Sequence, residues 1–444
     1  MSDSSQLAPG IDIDELREWI EQQRWYASKS RSVAGIELVE HVALREPPKP
    51  LLLALVQTRF ATGTHELYQL LLGVETFDAL EDPRQATELL RRLDLCDEIA
   101  AAEGRFTFHH VDGVVTPRQD AVARAMGVEQ SNSSIVFDER LALKVFRKLE
   151  PGVNPELEML RFLTARGFPN IAPLRGWYDY DGQALATTLG VAQQFLPDAV
   201  GGWELALEEI VRNPDSFLEK LGSLGTVTAQ MHTVLASDAS DPAFAPEEPS
   251  QEALSLLTAT IDEDIERIFL RLPDDPRLDP IIGRGQDVRA RLAARAQVGV
   301  GGRVIRTHGD YHLGQTLHTH GRWVIIDFEG EPARPLPERR QKRSPLRDVA
   351  SMLRSFAYVA SAVEIQRGQT APAEFEQRAR ERFLDHYLRD VDITLLPAGE
   401  AQVANLLSIF ELEKAIYELR YELDHRPDWI SIPVAGIRRL LEDE

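Results

Sequence analysis

Between Thr307 and Glu329 the chain carries oxygen-bearing side chains at spacings suited to handling phosphate. Asp310 lies in the run His308-Gly309-Asp310-Tyr311-His312-Leu313-Gly314-Gln315, five residues before Gln315. Asp327 follows twelve residues after Gln315, at the end of the apolar segment Trp323–Ile326. The pattern predicts one βαβ-like corner holding two carboxylates and a side-chain amide. Phosphoryl transfer needs a hydroxyl held in line, cations on the phosphate oxygens, and a carboxylate to orient or accept the hydroxyl proton. Asp310 suits the last task, because a glycine-containing turn after Val304–Ile305 exposes it. Gln315 and Asp327 offer the hard oxygen ligands that Mg²⁺ takes. Glu329 and Glu331 stand next to that set. His308, His312, His318 and His320 fall in a turn and a hairpin, where structural roles are expected.

A cation for the phosphates is the second requirement. Lys144 interrupts the apolar run Leu141-Ala142-Leu143-Lys144-Val145-Phe146. A buried ammonium is costly unless paired. On this strand it can reach the phosphates of ATP while a carboxylate of the following helix holds it. Glu158 is the first candidate for that carboxylate and Glu156 the second. Just upstream, Gln130-Ser131-Asn132-Ser133-Ser134 can leave backbone N–H groups open to phosphate oxygens. Ser131, Ser133 and Ser134 are therefore candidate ATP contacts. There is neither a GxGxxG nor a Walker pattern, which disfavours Rossmann and P-loop sites.

The elements that must position these groups divide the chain into two or three packed units, as 444 residues require. A first helix capped by Asp12 or Asp14 runs to about Gln23. Strands follow at 36–45, 51–60 and 66–75, then a helix over 82–102 with Cys96 on its face, and a hairpin over 104–116. Residues 120–148 are strand-rich. The cluster Pro151-Gly152-Val153-Asn154-Pro155 starts a helix, and 184–196 adds a strand pair. Beyond Trp203 helices are predicted near 204–212, 214–236, 250–271, 278–296, 345–366, 372–390 and 398–423, with a loop over 237–250. The fold class is α+β. Expected boundaries are a cap subdomain over 1–110, a nucleotide-binding segment over 111–196 and a helical lobe over 197–444.

The formal charge of −22 disfavours nucleic acid and anionic membranes as partners. The single cysteine allows no internal disulfide, and the first ten residues lack a basic-then-apolar signal, so a reducing cytoplasm is expected. The apolar run Leu51–Val56 is too short to span a bilayer.

The five-residue step from Asp310 to Gln315, with Asp327 beyond it, resembles the catalytic and metal-binding segments of protein kinases. More closely, His308–Gln315 and Ile326-Asp327-Phe328-Glu329-Gly330-Glu331-Pro332-Ala333-Arg334-Pro335-Leu336 resemble maltokinases of the aminoglycoside-phosphotransferase-like superfamily. So do Ser344-Pro345-Leu346-Arg347-Asp348-Val349-Ala350, Glu413-Lys414-Ala415-Ile416-Tyr417-Glu418, Arg426-Pro427-Asp428-Trp429 and the early stretch Arg24–Arg31. The resemblance implies a bilobal kinase with a β-rich N-lobe, an N-terminal cap subdomain and a mainly helical C-lobe. It implies ATP-dependent phosphorylation of maltose to maltose 1-phosphate, on the route from trehalose to glycogen and α-glucan in actinobacteria. Asp310 becomes the catalytic base, and Gln315 and Asp327 the Mg²⁺ ligands. Lys144 and Glu158 become the ATP-phosphate pair, and Gln194 to Leu196 the adenine-side linker. His308, Asp310, Glu329, Arg347, Lys414 and Tyr417 become the sugar-side residues. A sister group phosphorylates glucosamine to the 6-phosphate. Lys414 favours maltose, since a cation repels an amino sugar, whereas Glu413 or Glu418 would serve glucosamine. A non-catalytic scaffold for trehalose synthase is a further alternative, and the chain is expected as a monomer or dimer.

Overall fold

The computed structural model describes residues 12–74, 76–111, 121–127, 131–183, 185–296 and 301–442. Its contacts form two compact units, residues 1–164 with 172–197, and residues 165–171 with 198–444. The expected cap and nucleotide segments thus fall together in the first unit.

The first unit opens with helix α1 (Ile13–Gln22), capped by Asp12, whose Oδ1 accepts from the Asp14 and Glu15 N–H groups at 2.8 and 3.2 Å. Strands β1 (Val33–Arg45), β2 (Leu51–Phe60) and β3 (His65–Leu72) follow. β2 lies between β1 and β3, which explains its continuous apolar run. Leu16 and Ile20 of α1 join Trp25, Tyr26, Val56 and Tyr68 in the core against this sheet.

Helix α2 (Thr87–Leu95) is shorter than its apolar spacing suggested. Its buried stripe, Leu89, Leu90 and Leu93, ends one turn early, and Cys96 closes it in the left-handed region at φ 49°. The chain then extends into β4 (Glu98–Ala100) and β5 (Gly104–His110). Cys96 is therefore an exposed cap residue. β5 lies between β4 and the later β10; residues 112–120, where a returning strand was expected, lie outside the described residues.

The rest of the unit comprises β6 (Ala123–Ala125), β7 (Asn132–Phe137), β8 (Leu141–Phe146), β9 (Lys148–Leu149), α3 (Pro155–Ala165), β10 (Leu174–Gly182) and β11 (Ala186–Gln194). Seven strands form one antiparallel sheet in the order β4-β5-β10-β11-β8-β7-β6, while β9 pairs with β3 of the cap.

The second unit is mainly helical: α4 (Gly202–Arg212), α5 (Pro214–Leu235), α6 (Gln251–Phe269), α7 (Gly285–Ala296), α8 (Leu336–Arg339), α9 (Leu346–Arg367), α10 (Phe375–Asp390), α11 (Glu400–His425) and α12 (Ser431–Glu442). α7 starts later than predicted, after a turn in which Gly283 takes φ +75°. α12 lies beyond the last predicted helix and contains Pro433. It sits in the first turn, where its missing N–H costs nothing.

Strands β12 (Val200–Gly201), β13 (Thr316–Thr319) and β14 (Arg322–Ile325) form a small sheet. Trp323 of β14 is buried and donates Nε1–H to the Lys220 carbonyl at 2.7 Å. Asn170 Nδ2 donates to the Trp323 carbonyl at 2.7 Å, and the Ile325 N–H donates to the Asn170 carbonyl at 2.8 Å. These bonds fix the strand end that leads into Asp327. Among the described residues no helix is long and apolar enough to cross a membrane.

Candidate active site

The turn that carries Asp310 is braced from beneath. Gly309 has φ +84°, a conformation that favours glycine, and a Cβ there would lie 3.4 Å from the Gly330 Cα. Asp348, in the first turn of α9, is 2% exposed. Its carboxylate accepts from the backbone N–H groups of His308 at 2.8 Å and Gly309 at 3.0 Å. His232 of α5 donates Nε2–H to the same carboxylate at 3.1 Å, and its Nδ1 lies 3.0 Å from the Tyr387 hydroxyl. Burial alone would raise the Asp348 carboxyl, but these donors hold it below the usual carboxylate range. Sequence reasoning missed His232 and gave Asp348 no role. The available signal was an acid in the first turn of a helix, set among the apolar Leu346, Val349 and Ala350.

His308 is not a sugar-facing residue in this structure. It is 1% exposed, with its ring between Tyr311 and Phe328 at centroid distances of 5.2 and 5.0 Å. A carbonyl can only accept, so its Nε2, 3.0 Å from the Ile326 carbonyl oxygen, carries the proton. Nδ1 is then the acceptor for the Asp310 N–H at 3.4 Å. The ring ties the turn to the strand that leads to Asp327.

Gln315 and Asp327 come together at the base of the antiparallel β13–β14 hairpin, where a βαβ-like corner was expected. The Ile326 N–H donates to the Gln315 carbonyl at 3.1 Å, and Gln315 Nε2 donates to Asp327 Oδ2 at 3.0 Å. Asp327 takes φ 62°, a left-handed conformation rare for a residue with a Cβ. A Glu329 carboxylate oxygen lies within 4.8 Å of one of Asp327. The Asp327 and Glu329 carboxylates at a strand end are a donor set that fits a hard divalent cation, and Gln315 meets Asp327 through its amide nitrogen.

The half-buried Asp310 carboxylate has two cationic or polar neighbours: Lys414 Nζ is 3.8 Å from Oδ1, and His312 Nε2 is 3.9 Å from Oδ2. Lys414 also stands 5.1 Å from the centroid of the Tyr417 ring on α11. Both line a cavity of about 90 Å³ with Glu331, Arg334, Arg347 and Phe410. Glu331 lines this cavity where Glu329 was expected; Glu329 sits instead beside Asp327.

The cavity's charges are largely matched. Arg334 Nε donates to Glu331 at 2.6 Å, and Arg347 pairs with Glu413. Arg334 also approaches Glu413 at 3.9 Å. Burial and Glu331, its hydrogen-bond partner, push the Tyr417 phenol up to about 12. Burial, with Arg347 and Arg334 alongside, pushes the Arg343 guanidinium down to about 10. Glu418 is committed elsewhere, bonded to the buried Arg354 at 2.8 Å.

In the first unit Lys144 meets Glu156, the second of the two expected carboxylates. Its Nζ donates to Glu156 Oε2 at 2.8 Å, and Gln193 Nε2 donates to Oε1 at 3.0 Å. Asn154 caps α3 by accepting the Glu156 N–H at 2.8 Å. The helix start at Pro155 turns Glu156 toward β8, and at about 100° per residue Glu158 leaves the helix about 200° further round.

Register separates the serines as well. Ser134 pairs with Lys144 and shares its face, whereas Ser133 pairs with Val145 on the opposite face. The Ser133 hydroxyl accepts from Arg147 Nε at 2.8 Å and so does not point to the lysine side. Ser131 is exposed ahead of β7, and Gln130 lies outside the described residues. Gln194 ends β11 with Oε1 accepting from Arg175 at 2.7 Å, so its side chain is occupied. Leu196 is half-buried just beyond it.

Comparison with known proteins gives the family and the fold. Residues 122–384 match the phosphotransferase enzyme family, and residues 19–88 match the maltokinase N-terminal cap domain. A glucosamine kinase of Streptacidiphilus jiangxiensis is 28% identical over 335 residues, covering 72% of this chain and 74% of that protein. A glucosamine kinase of Mycolicibacterium smegmatis is 28% identical over 334 residues, covering 72% and 80%. Among solved structures, a glucosamine kinase superposes over 100% of both chains with a TM-score of 0.77 at 20% identity. Another, in complex with glucosamine, ADP and inorganic phosphate, covers 99% of both with a TM-score of 0.73 at 20% identity. The shared fold is kinase-like, with a β-rich N-lobe and a helical C-lobe. Matched over more than half its length, the chain belongs to the phosphotransferase enzyme family and carries a maltokinase-type N-terminal cap domain ahead of the phosphotransferase segment.

Proposed function

We propose that the protein is an ATP-dependent sugar kinase whose acceptor is maltose and whose product is maltose 1-phosphate. The Asp310 carboxylate orients the anomeric hydroxyl and takes its proton as the new O–P bond forms and the bond to the ADP oxygen breaks. Lys144, held by Glu156, binds the nucleotide phosphates. Gln315 and Asp327 are assigned to Mg²⁺, with Glu329 beside them. The ion, when bound, offsets charge on the phosphate oxygens. Asp348 and His232 keep the Asp310 turn in place.

The observation that carries the acceptor assignment is Lys414, with Nζ 3.8 Å from the Asp310 carboxylate. A cation there disfavours the ammonium of an amino sugar. The carboxylates that such a sugar would need, Glu331, Glu413 and Glu418, are already paired with arginines. The second reading, glucosamine as acceptor, is supported by the names of the relatives at 28% identity. The test is ADP release with maltose, glucosamine and glucose, with the phosphate position read by ³¹P NMR. Maltose is expected to turn over at least about tenfold better in kcat/KM, a difference of about 1.4 kcal/mol. Efficient glucosamine turnover with none on maltose overturns the assignment.

The nucleotide half has its own check. Glu156→Gln is expected to raise the KM for ATP about tenfold or more, because it removes the carboxylate charge 2.8 Å from the Lys144 ammonium.

A further inference from the structure

Arg147 joins the two family segments within the first unit. It follows β8 directly and is 1% exposed. Its Nη2 donates to Asp78 Oδ2 at 2.5 Å, and its Nε donates to Ser133 Oγ at 2.8 Å. The guanidinium carbon stands 5.2 Å from the Trp25 ring. Asp78 and Trp25 lie in the segment matching the cap domain, while Ser133 and Arg147 lie in the segment matching the phosphotransferase.

The cap grips the same stretch through its backbone. Gln69 of β3 donates Nε2–H to the Phe146 and Leu189 carbonyls at 2.9 and 2.7 Å. Its own N–H donates to the Arg147 carbonyl at 2.8 Å. β9 then pairs with β3, Leu149 opposite Leu67 and Lys148 opposite Tyr68.

The strands held in this way are β7 and β8. Their other face carries Ser134 and Lys144, and β7 begins where the serine-rich loop ends. A guanidinium fork between a carboxylate and a hydroxyl fixes angle as well as distance.

We propose that Arg147 is a positioning residue through which the cap domain sets the nucleotide-binding strands, so that the cap governs ATP affinity without touching ATP. This rests on the nucleotide role proposed above for Lys144. Asp78 supplies the charge that keeps Arg147 in place, and Ser133 receives the alignment.

The test is ATP affinity by calorimetry without acceptor, together with both KM values and the melting temperature. Ser133→Ala removes one hydroxyl and leaves the Arg147–Asp78 pair intact. It is expected to weaken ATP binding about three- to tenfold, the range of a single hydrogen bond, and to leave the sugar KM within about twofold. Asp78→Asn, in the cap, is expected to weaken ATP binding about tenfold or more. Arg147→Lys keeps the charge without the fork and is expected to behave like Ser133→Ala. A merely structural role would lower the melting temperature and leave the two KM values in their original ratio. Folded Ser133→Ala and Asp78→Asn proteins with unchanged ATP affinity overturn the proposal. Lys144→Met separates the two readings. If it loses ATP binding while Ser133→Ala does not, the positioning role alone fails. If it binds ATP as the wild type does, the nucleotide role falls and the positioning role with it.

Discussion

The corner around Asp310 and the cavity beside it meet at one carboxylate but are built on different plans. The corner is nearly contiguous in sequence, and backbone groups do much of the holding. Asp348 accepts two N–H groups, His308 binds a carbonyl, and Gln315 answers Asp327 across the base of one hairpin. The cavity is assembled from separated elements, with Glu331 and Arg334 before α8, Arg347 on α9, and Glu413, Lys414 and Tyr417 on α11. Its contacts are between side chains, in ion pairs that can exchange partners. A backbone-held corner constrains the chemistry, and a side-chain-built cavity leaves the acceptor open to change. Substitutions in the corner should therefore lower turnover on every acceptor alike. Substitutions in the cavity should change the ratio between acceptors.

The largest effect is expected at Asp310. Asp310→Asn keeps the shape and removes the base, and kcat should fall by about 10²–10⁴-fold on maltose and on any poorer acceptor. ATP affinity should stay close to wild type. Activity within a few-fold of wild type would remove Asp310 from the proposed role. A loss confined to one sugar would erase the distinction between corner and cavity.

This difference in plan also explains what could be read from the sequence. The corner was legible because its ligands sit at fixed steps along one turn and hairpin, with Gly309 marking the turn and an apolar strand leading to Asp327. The kinase-like lobes followed from the family resemblance, and most helices from periodicity. Errors arose where an angle or a face decided the outcome. Glu158 was preferred over Glu156 because the helix start at Pro155 sets the direction of both. Ser133 was grouped with Ser134 although alternation puts them on opposite faces of β7. His308 was placed on the sugar because an imidazole in a turn serves a carbonyl or a ligand equally well. Glu331 and Arg334 were not assigned to the cavity because their partners, Tyr417 and Glu413, lie some eighty residues away.

The next effect tests the brace under the turn. Asp348→Ala leaves the His308 and Gly309 N–H groups buried without their acceptor, at about 1–3 kcal/mol each. Turnover should fall about 10²-fold on all acceptors, since misplacement of a catalytic group by about 1 Å costs that much. The pH dependence gives a second reading. The folded Asp348 carboxyl lies below its unfolded value, so its contribution is fully present above the unfolded pKa. It is lost as pH falls through the folded one. The stability deficit of Asp348→Asn should accordingly be full near neutrality and should shrink below about pH 4. A deficit that stays constant into acid would mean that the carboxylate charge contributes nothing to the brace.

Lys414 offers the smallest and most selective effect. It stands 3.8 Å from Asp310 and 5.1 Å from the Tyr417 ring, so it contributes charge to the acceptor side without holding the turn. Lys414→Glu replaces a cation with an anion where the amino group of glucosamine would be felt. The catalytic carboxylate gains a negative neighbour, which lowers turnover on both sugars. That common loss cancels in the ratio of kcat/KM values, leaving the acceptor-specific part. A half-exposed charge reversal is screened by solvent, so the ratio should move toward glucosamine by only about five- to tenfold, roughly 1 kcal/mol. Lys414→Met, neutral and similar in length, should move it about half as far on a logarithmic scale. If both variants lose activity on the two sugars equally, Lys414 belongs with the corner, and acceptor choice must lie with the Arg334 and Arg347 pairs.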